Sequence, residues 1–173
     1  YAEKGVSIVG LEPSCLLTLR DEYPEFLRTA VAKRVAENSF LLEEFLAKEQ
    51  KAGKVTPNLK SSGRKALLHG HCHQKALVGT APTVAVLKSA GFEVSEVDSG
   101  CCGMAGSFGF EKEHYDLSLT IGNRRLAPAV KAASAEVEIV APGISCRQQI
   151  EHLTGKIAKH PAEVLWECVS SEQ

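Results

Sequence analysis

VEIVAPGISC, residues 137–146, carries three signals in one short run. Val137–Ala141 is a β-branched stretch of the kind that forms a short buried strand. Pro142 and Gly143 interrupt it, and Cys146 falls where the next helix begins. The same order opens the chain. VSIVGLEPSC, residues 6–15, aligns with it without gaps, and Val, Ile, Val, Ser and Cys are identical. A strand, a proline-containing turn and a cysteine at a helix start thus occur twice, which points to a duplicated architecture.

Between and beyond these copies the chain alternates. Lys65–His69 (KALLH) and Phe92–Val97 (FEVSEV) read as two more strands, and Lys156–His160 as a short fifth one. Pro24 starts a long helical stretch to Gln50 with a break near Asn38-Ser39, its apolar face formed by Phe26, Ala30, Val31, Leu41, Leu42, Phe45 and Leu46. Residues 51–64, basic and containing Gly and Pro, read as an exposed loop. Thr80 marks a helix N-cap and Gly91 the end of that helix. Tyr115, Leu119, Gly122 and Leu126 share one helical face, and Pro161 begins the last helix. The alternation predicts an α/β fold, a mostly parallel open sheet with helices on both faces, as the remnant of a duplicated unit. Residues 1–173 form one cysteine-rich domain on this reading. In it, residues 1–50 close a preceding repeat and add the helical stretch, 51–64 link, and 65–173 form the main repeat. The chain begins at Tyr1 and its only methionine is Met104, so a piece of a longer polypeptide is expected.

Composition narrows the function. A net charge of −1 over 173 residues gives no reason to expect nucleic acid or an anionic membrane as partner. No apolar run approaches the roughly 20 residues of a membrane span, so a transmembrane chain is not expected. Six cysteines are too sparse here for a secreted disulfide scaffold, and a cytoplasmic location, or a peripheral one at the inner membrane face, is the expectation.

Topology then gathers the cysteines. Cys15 follows the first predicted strand, Cys72 the second, Cys101 and Cys102 the third, and Cys146 the fourth. Parallel strands would place all five thiols at the carboxyl edge of the sheet, where open α/β folds bind ligands. DSGCCGMAGSFG, residues 98–109, adds Gly103, Gly106 and Gly109, whose backbone N–H groups can form a concavity for anionic sulfur. Adjacent Cys101 and Cys102 point different ways and suit different metal atoms of one cluster better than a single zinc ion. His71 and His73 flank Cys72 and are candidate outer partners. Cys168 shares the apolar face of the last helix with Val164 and Leu165 and is assigned to the core. GMAGSFG lacks the GxGxxG spacing, no CxxC occurs, and a cysteine hydrolase built on Cys72 or Cys101 has no orienting third residue.

EPSC, HGHCHQKAL, SGCCGMAGSFGFE and APGISCRQQIEHLTG together resemble the cysteine-rich CCG domain. That domain occurs in the B subunits of heterodisulfide reductases, in the iron–sulfur subunits of glycolate oxidases and in the C subunits of anaerobic glycerol-3-phosphate dehydrogenases. The wording is most similar to the C-terminal region of fused FAD-linked oxidases of the D-2-hydroxyglutarate or D-lactate type. The resemblance implies metal ligation by Cys72, Cys101, Cys102 and Cys146, with Cys15 as the closing cysteine of a preceding repeat. It implies a [4Fe–4S] cluster, cubane or non-cubane, with zinc as the alternative. It also implies FAD in a flavin domain of the same polypeptide, and electron flow from flavin towards a quinone or carrier protein. The closing motif departs from the family's CxxC, because Gly143 stands where its first cysteine would be, and Glu12 stands at the equivalent place in EPSC.

Overall fold

Three parallel strands ending at one level organise the larger part of the molecule. A computed structural model describes residues 1–56 and 58–169. β3 (Lys65–Leu68) lies between β4 (Glu93–Glu96) and β5 (Glu138–Val140), and both neighbours run parallel to it. Leu68 is the register partner of Glu96 on one side and of Val140 on the other. All three following loops therefore leave from the same edge. The order β4-β3-β5 also reverses direction at β3, which makes its carboxyl end a topological switch point.

Side-chain alternation divides the core about this sheet. Ala66, Leu68 and Val140 pack with Val86, Leu87, Val164, Leu165 and Cys168, which places Cys168 in the core as its helical spacing predicted. Ile139 and Ala141 face the other way, onto Leu126, Val130, Ile150 and Ala158, and Cys102 and Cys146 belong to this second cluster. Helices cover the strands as α5 (Cys72–Leu77), α6 (Ala81–Ser89), α7 (Tyr115–Arg124), α8 (Leu126–Ala132), α9 (Ile144–Thr154) and α10 (Pro161–Trp166). α6 begins after Thr80, and Gly91, at a φ of +80°, turns the chain into β4. Leu126 does not continue α7, because Arg125 departs from helical geometry and a separate helix starts there.

The first part of the chain builds its own small sheet. β1 (Ile8–Gly10) pairs in parallel with β2 (Ser39–Leu41). The helical stretch predicted from Pro24 to Gln50 is therefore interrupted by a strand as well as a break. It comprises α2 (Glu22–Leu27), α3 (Ala30–Glu37), β2 and α4 (Leu42–Lys51), with α1 (Pro13–Leu16) ahead of them. Tertiary pairing with β1 overrides local helix preference at Ser39-Phe40-Leu41, whose Ser39 and Leu41 are buried. The fifth strand predicted at Lys156–His160 is reduced to one bridge between Lys159 and Val140. Loop 51–64, apart from Pro57, which lies outside the described residues, is largely exposed and returns through a bridge between Leu59 and Val169. Parallel strands covered by helices thus give an α/β fold with open sheets, divided into two sheets rather than one.

Candidate metal centre

The loops after β3, β4 and β5 bring four sulfurs into a chain. Cys72 is the first residue of α5, Cys101 and Cys102 lie in the glycine-rich loop after β4, and Cys146 is in the first turn of α9. Cys72 meets Cys101, Cys101 meets Cys102, and Cys102 meets Cys146 through side-chain hydrogen bonds. The Cys101 thiol is pulled down to about 2, first by the hydrogen bond from Cys102 and then by that from Cys72. Cys146 is held well below the usual thiol range, first by Cys102, and His69 adds to the effect. Cys72 is pushed up by its bond to Cys101 and by burial, and Cys102 by its bonds to Cys101 and Cys146. Cys101 and Cys146 are thus the thiols shifted towards thiolate, the form that binds metal.

Backbone geometry fixes the paired cysteines. Gly103 adopts a φ of +100°, and a Cβ there would lie 2.3 Å from Ser118 O, so only glycine fits. Its N–H donates to Cys101 Sγ at 3.2 Å, and the Met104 N–H faces the Cys102 sulfur. Gly109 instead spends its N–H on Met104 O and packs against Ser118, while Gly106 supplies a turn at a φ of +68°. Among the three predicted glycines, Gly103 is the one whose N–H reaches a sulfur. Gln149, one turn beyond Cys146 on α9, donates to Cys102 O at 3.1 Å and to Ser118 O at 3.2 Å. Gly122 on α7 lets this loop approach, since a Cβ there would lie 2.9 Å from Cys102 O. Lys75 on α5 closes the other side by donating to Ser99 O and, at 3.0 Å, to Gly100 O.

The histidines divide. His71 is the N-cap of α5; its Nδ1 accepts the His73 N–H at 3.2 Å, so the neutral ring carries its proton on Nε2. Its ring fills the space beside Gly143, where a Cβ would lie 2.4 Å from His71 Cδ2 and 3.3 Å from Cys146 Sγ. The His73 ring turns to Asp21, 3.8 Å away, and only its main-chain N–H faces the Cys72 sulfur. His69, at the end of β3, is 1% exposed, and no oxygen or nitrogen meets its Nε2. Sequence reasoning singled out His71 and His73 rather than His69, whose signal was its place at the end of a buried strand next to HCH.

Cys15 stands apart. It is exposed on α1 and takes no part in the sulfur contacts that join the other four. Another residue of its EPSC motif does reach the centre. Glu12 Oε2 accepts the Ile144 N–H at 2.8 Å, and its Oε1 accepts from Ser14 Oγ at 2.7 Å. One carboxylate thereby caps its own short helix and the N-terminus of α9, where Gly143 has no side chain to do so.

Four cysteines from three loops form a sulfur-rich donor set of the kind that holds an iron–sulfur group. A tetrahedral zinc site with Zn–S bonds near 2.3 Å needs sulfurs about 3.8 Å apart. Among the described residues, the trio of His, Cys, Asp or Glu donors lying within 4.8 Å of one another is Asp21, Glu22 and His73, with no sulfur in it. Among the described residues, no three of the four sulfurs therefore lie within 4.8 Å of one another, so they do not form a closed four-sulfur zinc site.

Residues 67–151 match the family model of the cysteine-rich domain, CCG. The chain is 33% identical over 163 residues to the C subunit of anaerobic glycerol-3-phosphate dehydrogenase from Escherichia coli K12, covering 94% of this chain and 40% of that protein. It is 31% identical over 171 residues to D-2-hydroxyglutarate dehydrogenase of the same strain, covering 97% of this chain and 16% of that protein. The corresponding enzyme of Pantoea ananatis is 32% identical over 172 residues, again over 97% of the chain and 16% of the relative. The chain thus spans well under half the length of these curated relatives. No solved structure matches it. Residues 67–151, which carry Cys72, Cys101, Cys102 and Cys146, are a cysteine-rich domain of the CCG family, homologous to the C-terminal parts of these dehydrogenase proteins.

Proposed function

We propose that this chain is the electron-transfer domain of a dehydrogenase and holds an iron–sulfur cluster, of the [4Fe–4S] type, on Cys72, Cys101, Cys102 and Cys146. The observation that carries the reading is the convergence of four cysteines in one continuous run at the switch point of the sheet. A cluster bound there supplies one-electron redox chemistry. The chain's own contribution is to hold the four sulfurs, to donate the Gly103 and Met104 N–H groups to them, and to bury Cys102 and Cys146 in the core cluster that includes Ile150. Such N–H donors raise a cluster's potential by stabilising its more negative, reduced state.

The relatives place the domain beside dehydrogenase chemistry. In our reading a flavin domain, with FAD, takes electrons from a 2-hydroxy acid or related substrate and passes them through this domain to a quinone or carrier protein. The work would be done in the cytoplasm, or peripherally at the inner membrane face. No helix among the described residues is long and apolar enough to cross a membrane.

Anaerobic reconstitution with iron and sulfide tests the reading. The chain should take up both and show broad sulfur-to-iron charge-transfer absorption in the visible. Stoichiometric zinc with no such absorption would overturn it. Cys102→Ser should lose the cluster, whereas Cys168→Ser, altered only in the core, should fold and keep it; equal iron contents would refute the ligand set.

A further inference from the structure

The motif that closes this domain lacks its first cysteine, and the space at Gly143 is already filled by the His71 ring. The neutral His71 cannot substitute as a ligand through Nε2, because the His73 N–H occupies Nδ1 and leaves the proton on the other nitrogen. His73 faces Asp21 instead. One imidazole remains.

His69 is 1% exposed, and no oxygen or nitrogen meets its Nε2, which lies beside the Cys146 sulfur. A thiol is a weak hydrogen-bonding group, so a buried ring nitrogen that meets only sulfur is poorly satisfied by the protein alone. The ring lies against Cys146, at the end of the sulfur run. Its Nδ1 is 2.8 Å from Ser99 Oγ, on the same loop as Cys101 and Cys102. A hydrogen bond that orients the far ring nitrogen is what a metal-bound histidine needs. With Nδ1–H donating to Ser99, Nε2 presents its lone pair on the side of the Cys146 sulfur. Resting on the cluster reading above, we propose that His69 Nε2 is a further metal ligand of this centre, a fifth donor beside Cys72, Cys101, Cys102 and Cys146. Ser99 is its positioning residue. A mixed thiolate–imidazole set carries less negative charge than an all-thiolate one, which raises the reduction potential.

The experiment uses the chain reconstituted anaerobically with iron and sulfide and then reduced. Electron–nuclear double resonance should show one strongly coupled nitrogen that changes when histidine alone is labelled with 15N. Three variants, each checked for folding by circular dichroism, separate ligation from hydrogen bonding. His69→Cys offers a replacement ligand and should retain iron and sulfide while losing the nitrogen signal. His69→Gln offers an N–H donor of similar reach but a poor ligand, and should lose bound iron by about tenfold or more. Ser99→Ala should keep the signal but alter its coupling.

Wild-type chain with a full cluster and no strongly coupled histidine nitrogen would overturn the proposal. So would full iron content in His69→Gln, which would leave His69 as an N–H donor to Cys146. Both results would leave the cluster reading intact. A wild-type chain that binds no cluster would instead sink that reading, and this proposal with it.

Discussion

Gly143 and Glu12 occupy equivalent places in the two copies of the strand–turn–cysteine pattern, yet they solve one local problem together. A cysteine at position 143 would drive its Cβ to 2.4 Å from His71 Cδ2, so the closing motif is short of a thiol because a ring stands there. Without a side chain, position 143 cannot cap α9, and Glu12 reaches across from the first copy to accept the Ile144 N–H. Gly143→Ala is therefore expected to push His71 aside and destabilise the fold by about 1–3 kcal/mol. Chemical denaturation checks the stability, and iron content after reconstitution should fall with the displaced ring. An unchanged midpoint would show that His71 moves freely. The motif's departure from CxxC was visible in the sequence, but the ring that fills the gap was not, because His71 and Gly143 meet only in space.

At the scale of elements, the glycine-rich loop is held from three sides. Gln149 on α9 donates to Cys102 O, Gly122 on α7 leaves room for that carbonyl to approach, and Lys75 on α5 grips the carbonyls of Ser99 and Gly100. These clamps hold Cys101 between Cys72 and Cys102 despite the flexibility of the surrounding glycines. Lys75→Met preserves the aliphatic stem and removes both hydrogen bonds, a loss of about 1–3 kcal/mol in the restraint on the loop. The expected outcome is a several-fold faster loss of iron to a chelator, with little change in helix content. Equal release rates would show that Gln149 suffices. Strand positions were legible from β-branched runs, since β1, β3, β4 and β5 all fall within predicted strands. β2 was not, because Ser39-Phe40-Leu41 lies between helical segments and becomes extended only by pairing with β1. Lys156–His160 fails in the opposite sense: Lys159 alone bridges Val140, and the chain then turns into α10 at Pro161.

Across the whole molecule, the two sheets are joined by contacts that carry buried titratable groups. His160 caps α10 through Nδ1 and donates from Nε2 to Leu11 O at 3.0 Å, which ties the loop after β1 to the end of the chain. Glu43 on α4 is 1% exposed, 4.0 Å from that same Nε2, and neither carboxylate oxygen has a hydrogen bond. Burial pushes its carboxyl from 4.5 up to about 7. The folded chain therefore keeps a proton that the unfolded chain releases, and stability falls as pH rises from about 4.5 to about 7. Over that window the loss is roughly 3 kcal/mol. Glu43→Gln removes the penalty, so its stability advantage over wild type should be small near pH 5 and reach several degrees in melting temperature at pH 8. Thermal melts across this range check it, and parallel curves for the two proteins would refute the assignment.

The sequence by itself determined the local periods, the α/β class and which residue types could carry the chemistry. Val-Ile-Val runs and cysteines at helix starts act over a few residues, so neighbours in the chain suffice to express them. Only the tertiary structure decided which thiols meet. β3 lies between β4 and β5 in register, so their three loops converge, and Cys72, Cys101, Cys102 and Cys146 join while Cys15 remains exposed on the other sheet. Tertiary packing also turned the His73 ring to Asp21, set His71 against Gly143 and buried His69 Nε2 beside the Cys146 sulfur with no oxygen or nitrogen partner. These outcomes depend on strand order and on close approaches between residues as far apart as Glu12 and Ile144, which no local pattern encodes.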